Sequence, residues 1–135
     1  MRAEPYLFFQ GRCAEAFEFY RRALGAEIEA MIRFSDMPGS PAAHSQMIMH
    51  AALRIGDTMI LGSDGSGESE AGFRNFAISL QVETDAEAER LFAALGDGGH
   101  VEVPLMSTPF AARFGKIADR FGLPWMIVTR KRPVQ

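Results

Sequence analysis

The sequence is poor in several features that mark particular classes of protein. Its single cysteine, Cys13, cannot form an internal disulfide, which excludes a disulfide-stabilised scaffold. No stretch approaches the roughly 18 consecutive apolar residues of a membrane-spanning helix, and the N-terminus lacks a signal-peptide pattern. The net charge of -3 is spread along the chain, and basic residues cluster only at 130–132, so there is no nucleic-acid footprint. We therefore expect a cytoplasmic protein with neither nucleic acid nor membrane as a partner.

The sequence does contain an internal repeat. It has 135 residues, 47% of them hydrophobic, which is typical of one domain with a substantial core. The repeated motif is an arginine with a glycine two residues later and an apolar strand after it, and it begins at Arg54 and again at Arg120. Upstream of each copy lies a predicted helix that ends in Leu-Gly. A unit of this size cannot bury its apolar face alone, so we expect function between the copies. The predicted boundaries are about 1–64 for module one and 73–130 for module two.

Hydrophobic periodicity predicts the same elements in each module, namely strand, helix and three strands. In module one the strands are predicted at 4–10, 27–34, 46–55 and 58–62, with a helix at 13–24 ended by Gly25. In module two they are predicted at 76–83, 101–105, 113–119 and 124–129, with a capping box of Thr84 and Glu87 opening the helix. Phe17 and Tyr20, like Leu91 and Phe92, are predicted to be buried between helix and sheet. The predicted fold class is α+β.

Three segments carry a resemblance to a known family. They are the opening Pro5-Tyr-Leu-Phe-Phe-Gln-Gly with Glu15-Ala-Phe-Glu-Phe-Tyr, the central Ile55-Gly-Asp-Thr, and the closing run at 113–127. Together they resemble PhnB-like members of the glyoxalase and bleomycin-resistance (vicinal oxygen chelate) superfamily over essentially the whole chain. The resemblance implies two βαβββ modules forming an incomplete barrel with an internal pocket, in a homodimer. Such chains have also been labelled ubiquinone-related methyltransferases, but the sequence has no cofactor-binding glycine fingerprint.

Enzymes of this superfamily hold one divalent metal with ligands from the first and last strand of each module. Carried over to this sequence, those positions are Glu4, Ile60, Ala77 and Met126, with Pro5, Leu61, Phe76 and Trp125 as one-residue alternatives. Among these residues only Glu4 is of a type that usually binds metal ions. A catalytic divalent ion needs about three protein ligands, drawn from His, Asp, Glu and Cys side chains. We therefore predict no metal and no other cofactor.

The alternation within strands predicts which side chains line the pocket. Leu7 and Phe9, and likewise Ile78, Leu80 and Val82, are expected to pack under the helices. The opposite faces would then present Tyr6 and Phe8 in module one, Ser79 and Gln81 in module two, and His50 from the strand at 46–55, together with Gln46, Ile48 and Ala52. Phe110 and Met126 are added as apolar surface. The predicted ligand-binding residues are therefore Tyr6, Phe8, His50, Ser79, Gln81, Phe110 and Met126. For His50, a hydrogen-bonded structural role stays open as the alternative.

This mixture of aromatic, thioether and polar groups is typical of a small-molecule site. The predicted function is a metal-independent binder of a small, partly apolar or aromatic molecule. Two alternatives stay open at this point. The first is a lyase, isomerase or dioxygenase-type enzyme that recruits a metal through Glu4 and His50, and the second is an interaction module whose barrel is filled by its own side chains. The sequence does not identify catalytic residues.

Overall fold

The computed structural model describes residues 1–39, 45–65 and 72–130. The chain forms two compact units, Met1–Ala71 and Gly72–Gln135. Each contains the predicted sequence of strand, helix and three strands, which confirms the α+β class and the βαβββ repeat. Of the segments singled out in the sequence, His44, most of the connection at 62–72 and the basic residues 131–132 lie outside the described ranges.

The first unit is a four-stranded sheet covered on one face by a helix. Its elements are β1 (Tyr6–Phe8), α1 (Cys13–Leu24), β2 (Glu27–Arg33), a 3-10 turn (Phe34–Asp36), β3 (Ile48–Ile55) and β4 (Thr58–Ser63). The strand order is β1-β4-β3-β2, with β1 parallel to β4 and the other pairs antiparallel. β1 is shorter than predicted because Gln10 and Gly11 have φ values of 55° and 92°, which turn the chain toward α1.

The second unit repeats this arrangement. It contains β5 (Ile78–Val82), α2 (Asp85–Gly96), β6 (His100–Met106), β7 (Ala111–Ala118) and β8 (Pro124–Arg130). The order is β5-β8-β7-β6, again with one parallel pair, β5 with β8. The Thr84 Oγ1 accepts a hydrogen bond from the Glu87 amide at 3.1 Å, which is one half of the predicted capping box.

The buried faces follow the predicted alternation with one correction in α2. Leu7 and Phe9 are 5% and 4% exposed and pack under α1, as predicted. Leu91 is buried in the second unit, but Phe92, predicted to be buried, is only half-buried because it lies one step around the helix from the stripe formed by Ala88, Leu91 and Leu95. Its ring still covers part of the sheet, since a Cβ built on Gly115 would come within 2.6 Å of the Phe92 Cε2.

A register shift in β3 changes the face of one predicted pocket residue. Ile32 pairs with His50, but the next residue, Arg33, pairs with Ile48, so one residue of β3 has no partner in β2. Because neighbouring residues of β2 point to opposite faces, His50 and Ile48 also do. Ile48 is 1% exposed and belongs to the core. The prediction that it shares the open face with His50 is wrong.

Candidate functional site

Tyr6, Phe8 and His50 come together on the face of the first sheet that α1 does not cover. The Tyr6 hydroxyl lies 3.2 Å from the His50 Nδ1, although the two residues are 44 positions apart. The Tyr6 ring lies 5.7 Å from the imidazole and 5.2 Å from the Phe8 ring, measured between centroids, with tilted planes. Tyr6 is 38% and Phe8 53% exposed, so large aromatic surfaces are left accessible. This face is called the aromatic face below and is defined by these three residues.

The register of the first sheet explains why these side chains meet. Tyr6 pairs with Leu61 in β4, Leu61 pairs with Ala52 in β3, and Ala52 is two residues from His50 on the same face. The small Ala52 side chain leaves room for the tyrosine to lean toward the imidazole. The hydroxyl and the ring nitrogen can exchange donor and acceptor roles with the histidine tautomer. The aromatic face can therefore stack on a planar apolar group and also exchange one hydrogen bond with it.

The four site residues predicted in the second unit are distributed over its open face and a neighbouring turn. Ser79 pairs with Met126 across β5 and β8, and Gln81 pairs with Val128 two residues along. The Gln81 Oε1 accepts a hydrogen bond from the Arg130 Nη2 at 3.1 Å. Phe110 lies in the turn between β6 and β7, 67% exposed, with its ring 5.4 Å from that of Phe114. The structure thus brings Ser79 and Met126 together and leaves Phe110 outside the strands.

The residues at the superfamily's metal positions do not form a ligand set. Ile60, matched to Met126 by the glycine spacing, is 3% exposed on the helix-covered face, so the open-face residue of β4 is Leu61. Glu4 and Ala77 precede β1 and β5, and Glu4 is paired with Arg2 at 3.5 Å. Carbon and thioether side chains do not replace the water shell of a hard divalent ion. Within residues 1–39, 45–65 and 72–130, no three His, Cys, Asp or Glu side chains are grouped to hold a metal.

A buried carboxylate near the start of α1 is a structural residue that sequence reasoning missed. Asp64 is 3% exposed and accepts hydrogen bonds from the Cys13 amide at 2.8 Å and the Ile48 amide at 2.7 Å. Burial, and secondarily the Asp64 charge, raise the pKa of the Cys13 thiol from 9.0 to about 12. The thiol therefore stays protonated at neutral pH, and the buried Cys13 is a packing residue, as the sequence predicts, and not a nucleophile.

A second missed carboxylate holds the turn between β7 and β8. Asp119 is 3% exposed. Its Oδ1 accepts from the amides of Phe121 and Leu123 at 2.8 and 3.0 Å, and its Oδ2 accepts from the Trp125 Nε1 at 2.8 Å. The signal in the sequence is an aspartate at the end of an apolar strand followed by a glycine turn, a pattern typical of side-chain to backbone bonds in turns.

Comparison with known proteins shows where this architecture belongs. A family model described as 3-demethylubiquinone-9 3-methyltransferase matches residues 2–128. Protein YjdN of Escherichia coli strain K12 is 35% identical over 147 aligned positions that cover 100% of both chains. The crystal structure of PA1353 from Pseudomonas aeruginosa is 44% identical, with a TM-score of 0.89 over 98% of this chain and 99% of that one.

More distant structures share the fold. A protein from Bacillus cereus, described as PhnB and as a putative 3-demethylubiquinone-9 3-methyltransferase, is 23% identical with a TM-score of 0.81, covering 96% of this chain and 99% of that one. A glyoxylase/bleomycin resistance protein/dioxygenase domain from Frankia sp. EAN1pec is 13% identical with a TM-score of 0.64, covering 99% and 94%. Given the family match across nearly all of its length, this chain belongs to the family whose model is described as 3-demethylubiquinone-9 3-methyltransferase, and it shares the fold of the glyoxylase/bleomycin resistance protein/dioxygenase domain.

Proposed function

We propose that this protein binds a small, partly apolar or aromatic molecule without a metal ion, with the aromatic face as its main contact surface. The observation that carries this proposal is the contact between the Tyr6 hydroxyl and the His50 Nδ1 at 3.2 Å beside an exposed Phe8 ring. Exposed aromatic rings with a polar group at hand are typical of sites for amphipathic ligands. A planar molecule stacked on Tyr6 and Phe8 would place a hydroxyl or carbonyl within reach of the imidazole.

We propose ligand-contacting residues in the second unit as well, on the open face of its sheet and in the turn between β6 and β7. Ser79 and Gln81 offer a hydroxyl and an amide, and Met126 offers a polarizable thioether that adapts to irregular apolar surfaces. Phe110 is the fourth proposed contact, and its high exposure supports a role in binding because a large apolar side chain gains from being covered. The metal-independent form of the proposal is supported by the donor set, since Leu61 and Met126 lack the hard oxygen or nitrogen ligands that catalytic divalent ions need.

A thermal-shift screen of aromatic fragments, repeated after dialysis against EDTA, tests this function. We expect at least one fragment to raise the melting temperature by several degrees, because a ligand at one hundred times its Kd stabilises by about 2.7 kcal/mol. The shift should be the same after chelation, and it should disappear in Tyr6→Ala and His50→Ala. Phe76→Ala is the matched control, since it removes a 42% exposed aromatic side chain outside the proposed contacts.

Three results would contradict the proposal. The first is a screen without any stabilising fragment. The second is a shift that survives in both Tyr6→Ala and His50→Ala. The third is one equivalent of tightly bound zinc, nickel or manganese that fragment binding requires, which would favour the metal-dependent enzyme.

We also propose that the protein is a cytoplasmic homodimer. Dimer formation is supported by the sheet edges, because the edge strand β6 leaves Val101 52% and Met106 48% exposed. The free Cys13 thiol is consistent with a reducing compartment. In the part of the chain that the structure describes, no helix is long and apolar enough to cross a membrane.

Light scattering tests the dimer. We expect about twice the chain mass of 14.9 kDa at micromolar concentration. The double variant Val101→Lys with Met106→Lys, which places charge on the exposed side chains of β6, should weaken the association. A monodisperse monomer for the unmodified protein would refute this proposal.

A further inference from the structure

The first turn of α2 borders a cavity of about 500 Å³ on the second unit. Its wall is formed by residues 83–85, which open the helix, and by residues from the neighbouring strands and turn, namely Ser107, Ala112, Thr129 and Arg130. This volume lies within the range of about 300–1,000 Å³ that is usual for small-molecule sites. Thr129 reaches the wall from the helix-covered face of β8, where Trp125 and Ile127 are also buried. The cavity is therefore distinct from the open face that carries Ser79 and Met126.

The hydroxyl of Thr129 is the unusual group in this wall. Thr129 is 4% exposed, and its Oγ1 has no hydrogen-bond partner in the described part of the chain. Buried polar side-chain atoms in folded proteins are nearly always paired, because an unpaired one loses its hydration without compensation. An unpaired buried hydroxyl in a cavity wall thus points to a missing occupant.

The first unit shows what fills the equivalent place there. The buried cross-strand pair Leu53 and Ile60 in β3 and β4 corresponds to the buried pair Ile117 and Trp125 in β7 and β8. Four residues after Ile60 stands Asp64, which directly follows β4, and four residues after Trp125 stands Thr129 in β8. The two positions are therefore equivalent in the repeat, and Asp64 also points to the helix-covered face.

The residues around the two positions also correspond. In the first unit the Asp64 carboxylate accepts from Cys13, the first residue of α1, and from Ile48, five residues before Leu53. In the second unit the first residue of α2 is Asp85 and the residue five before Ile117 is Ala112, and both line the cavity. The repeat thus keeps the surroundings of a buried carboxylate in the second unit but replaces the carboxylate by a shorter, neutral threonine.

We propose that this cavity binds a small monocarboxylate whose carboxylate takes the place that Asp64 occupies in the first unit. One oxygen would lie at the first turn of α2, where the free amides and the helix dipole favour a negative charge. The Thr129 hydroxyl would donate to the other oxygen. Glu83, an acceptor when ionised, would accept from a hydroxyl or ammonium group on the ligand.

The charges in the wall favour one negative charge on the ligand and not two. Asp85 is paired with the Arg113 guanidinium at 3.8 Å, and Glu83 and Arg130 both line the wall, so the two carboxylates are balanced by two guanidinium groups. The helix terminus adds the equivalent of roughly half a positive charge. A dianion such as sulfate or phosphate would bring an excess negative charge close to two carboxylates.

The test is a titration of the full-length, ¹⁵N-labelled protein with lactate, acetate and sulfate, followed by amide chemical shifts. Lactate should shift the Asp85 and Ala112 amides saturably with a millimolar Kd. Acetate, which cannot donate to Glu83, should bind about threefold to tenfold more weakly, which is the range expected for one lost hydrogen bond, and sulfate more weakly still.

Variants of Thr129 separate a specific site from general anion binding. Thr129→Ser should keep lactate binding within about twofold, and the isosteric Thr129→Val should weaken it by about threefold to tenfold. Thr129→Asp supplies an internal carboxylate, so its spectrum should resemble the lactate-bound protein and its Asp85 and Ala112 amides should no longer respond. Thr58→Val in β4 is the matched control and should leave binding unchanged.

Three results would overturn the proposal. The first is that the Asp85 and Ala112 amides show no saturable shift at lactate concentrations up to about 50 mM, well above a millimolar Kd. The others are that sulfate binds as tightly as lactate, or that Thr129→Val binds lactate as tightly as the unmodified protein. If Thr129→Asp does not fold, Thr129→Val alone decides. Tyr6→Ala should leave lactate binding intact, so this site and the proposed aromatic face can fail independently.

Discussion

Asp119→Ala is expected to destabilise the protein by roughly 4 kcal/mol, a large share of the 5–15 kcal/mol typical of a domain. The substitution leaves the part-buried Phe121 amide, the buried Leu123 amide and the buried Trp125 indole N–H without the carboxylate that now accepts from all three. Each unsatisfied buried donor costs about 1–3 kcal/mol. Denaturant unfolding followed by the fluorescence of Trp125, the single tryptophan of the chain, measures the loss.

Two further variants control this prediction. Asp119→Asn retains an acceptor oxygen of similar shape and should cost about half as much. Asp97→Ala removes an acid that is 77% exposed and paired with Arg120 at 3.1 Å, so it should cost under about 1 kcal/mol. If Asp119→Ala is no more destabilising than Asp97→Ala, the carboxylate does not hold the turn.

Asp64→Ala should destabilise the first unit by about 3 kcal/mol, because the Cys13 and Ile48 amides lose their buried acceptor. Asp64→Asn should be milder, since it keeps one acceptor oxygen. Urea unfolding at pH 7 measures both. Glu29→Ala is a suitable control, since it removes one partner of the half-exposed Arg54 ion pair at 2.7 Å and should change stability little. A cost for Asp64→Ala equal to that of Glu29→Ala would refute this role.

Because of the raised pKa of the Cys13 thiol, the stability of the folded protein is expected to fall at alkaline pH. The pKa of Cys13 is about 12 in the folded protein and near 9.0 when exposed, so below pH 9 both states hold the proton and stability is unaffected. From pH 9 to 12 only the unfolded state releases it, and stability falls by about 1.4 kcal/mol for each pH unit. The difference between this protein and Cys13→Ala isolates the effect from other alkaline titrations. In Asp64→Asn the pKa of Cys13 should lie below 12 but above 9, because burial is the larger cause of its rise.

The sequence predicts the elements and the faces of straight strands well because both depend on local periodicity. It places Tyr6, Phe8 and His50 on one face, and the structure brings them into contact. The prediction of strand faces fails where an extra residue interrupts the pairing of two strands. In β3, the residue without a partner in β2 turns Ile48 toward the core. The turn held by Asp119 is longer than its counterpart at Gly56, so a count of residues from each glycine matches Ile60, which faces the helix, to Met126, which does not. Neither irregularity changes the pattern of apolar residues.

The two buried carboxylates are harder to predict for a different reason. Asp64 lies in a run of glycine and serine whose composition is typical of a loop. Its hydrogen-bond partners, Cys13 and Ile48, are 51 and 16 residues away in the sequence. Only the tertiary structure shows that two amides point at it. Thr129 gives even less signal, because a threonine near the end of a strand is ordinary, and its meaning follows only from its equivalence to Asp64.

The short first strand would couple the proposed ligand binding to local unfolding. β1 has only three residues paired with β4, lies at the edge of its sheet, and is anchored mainly by the side chains of Leu7 and Phe9. Its pairing closes a loop of more than fifty residues, so its detachment regains chain entropy while α1 and the β2-β3-β4 meander stay folded. Tyr6 and Phe8 leave the surface whenever β1 detaches. For the binding proposed at the aromatic face, the opening equilibrium of this strand would set the fraction of competent molecules, and a ligand held there would protect the β1 amides from exchange.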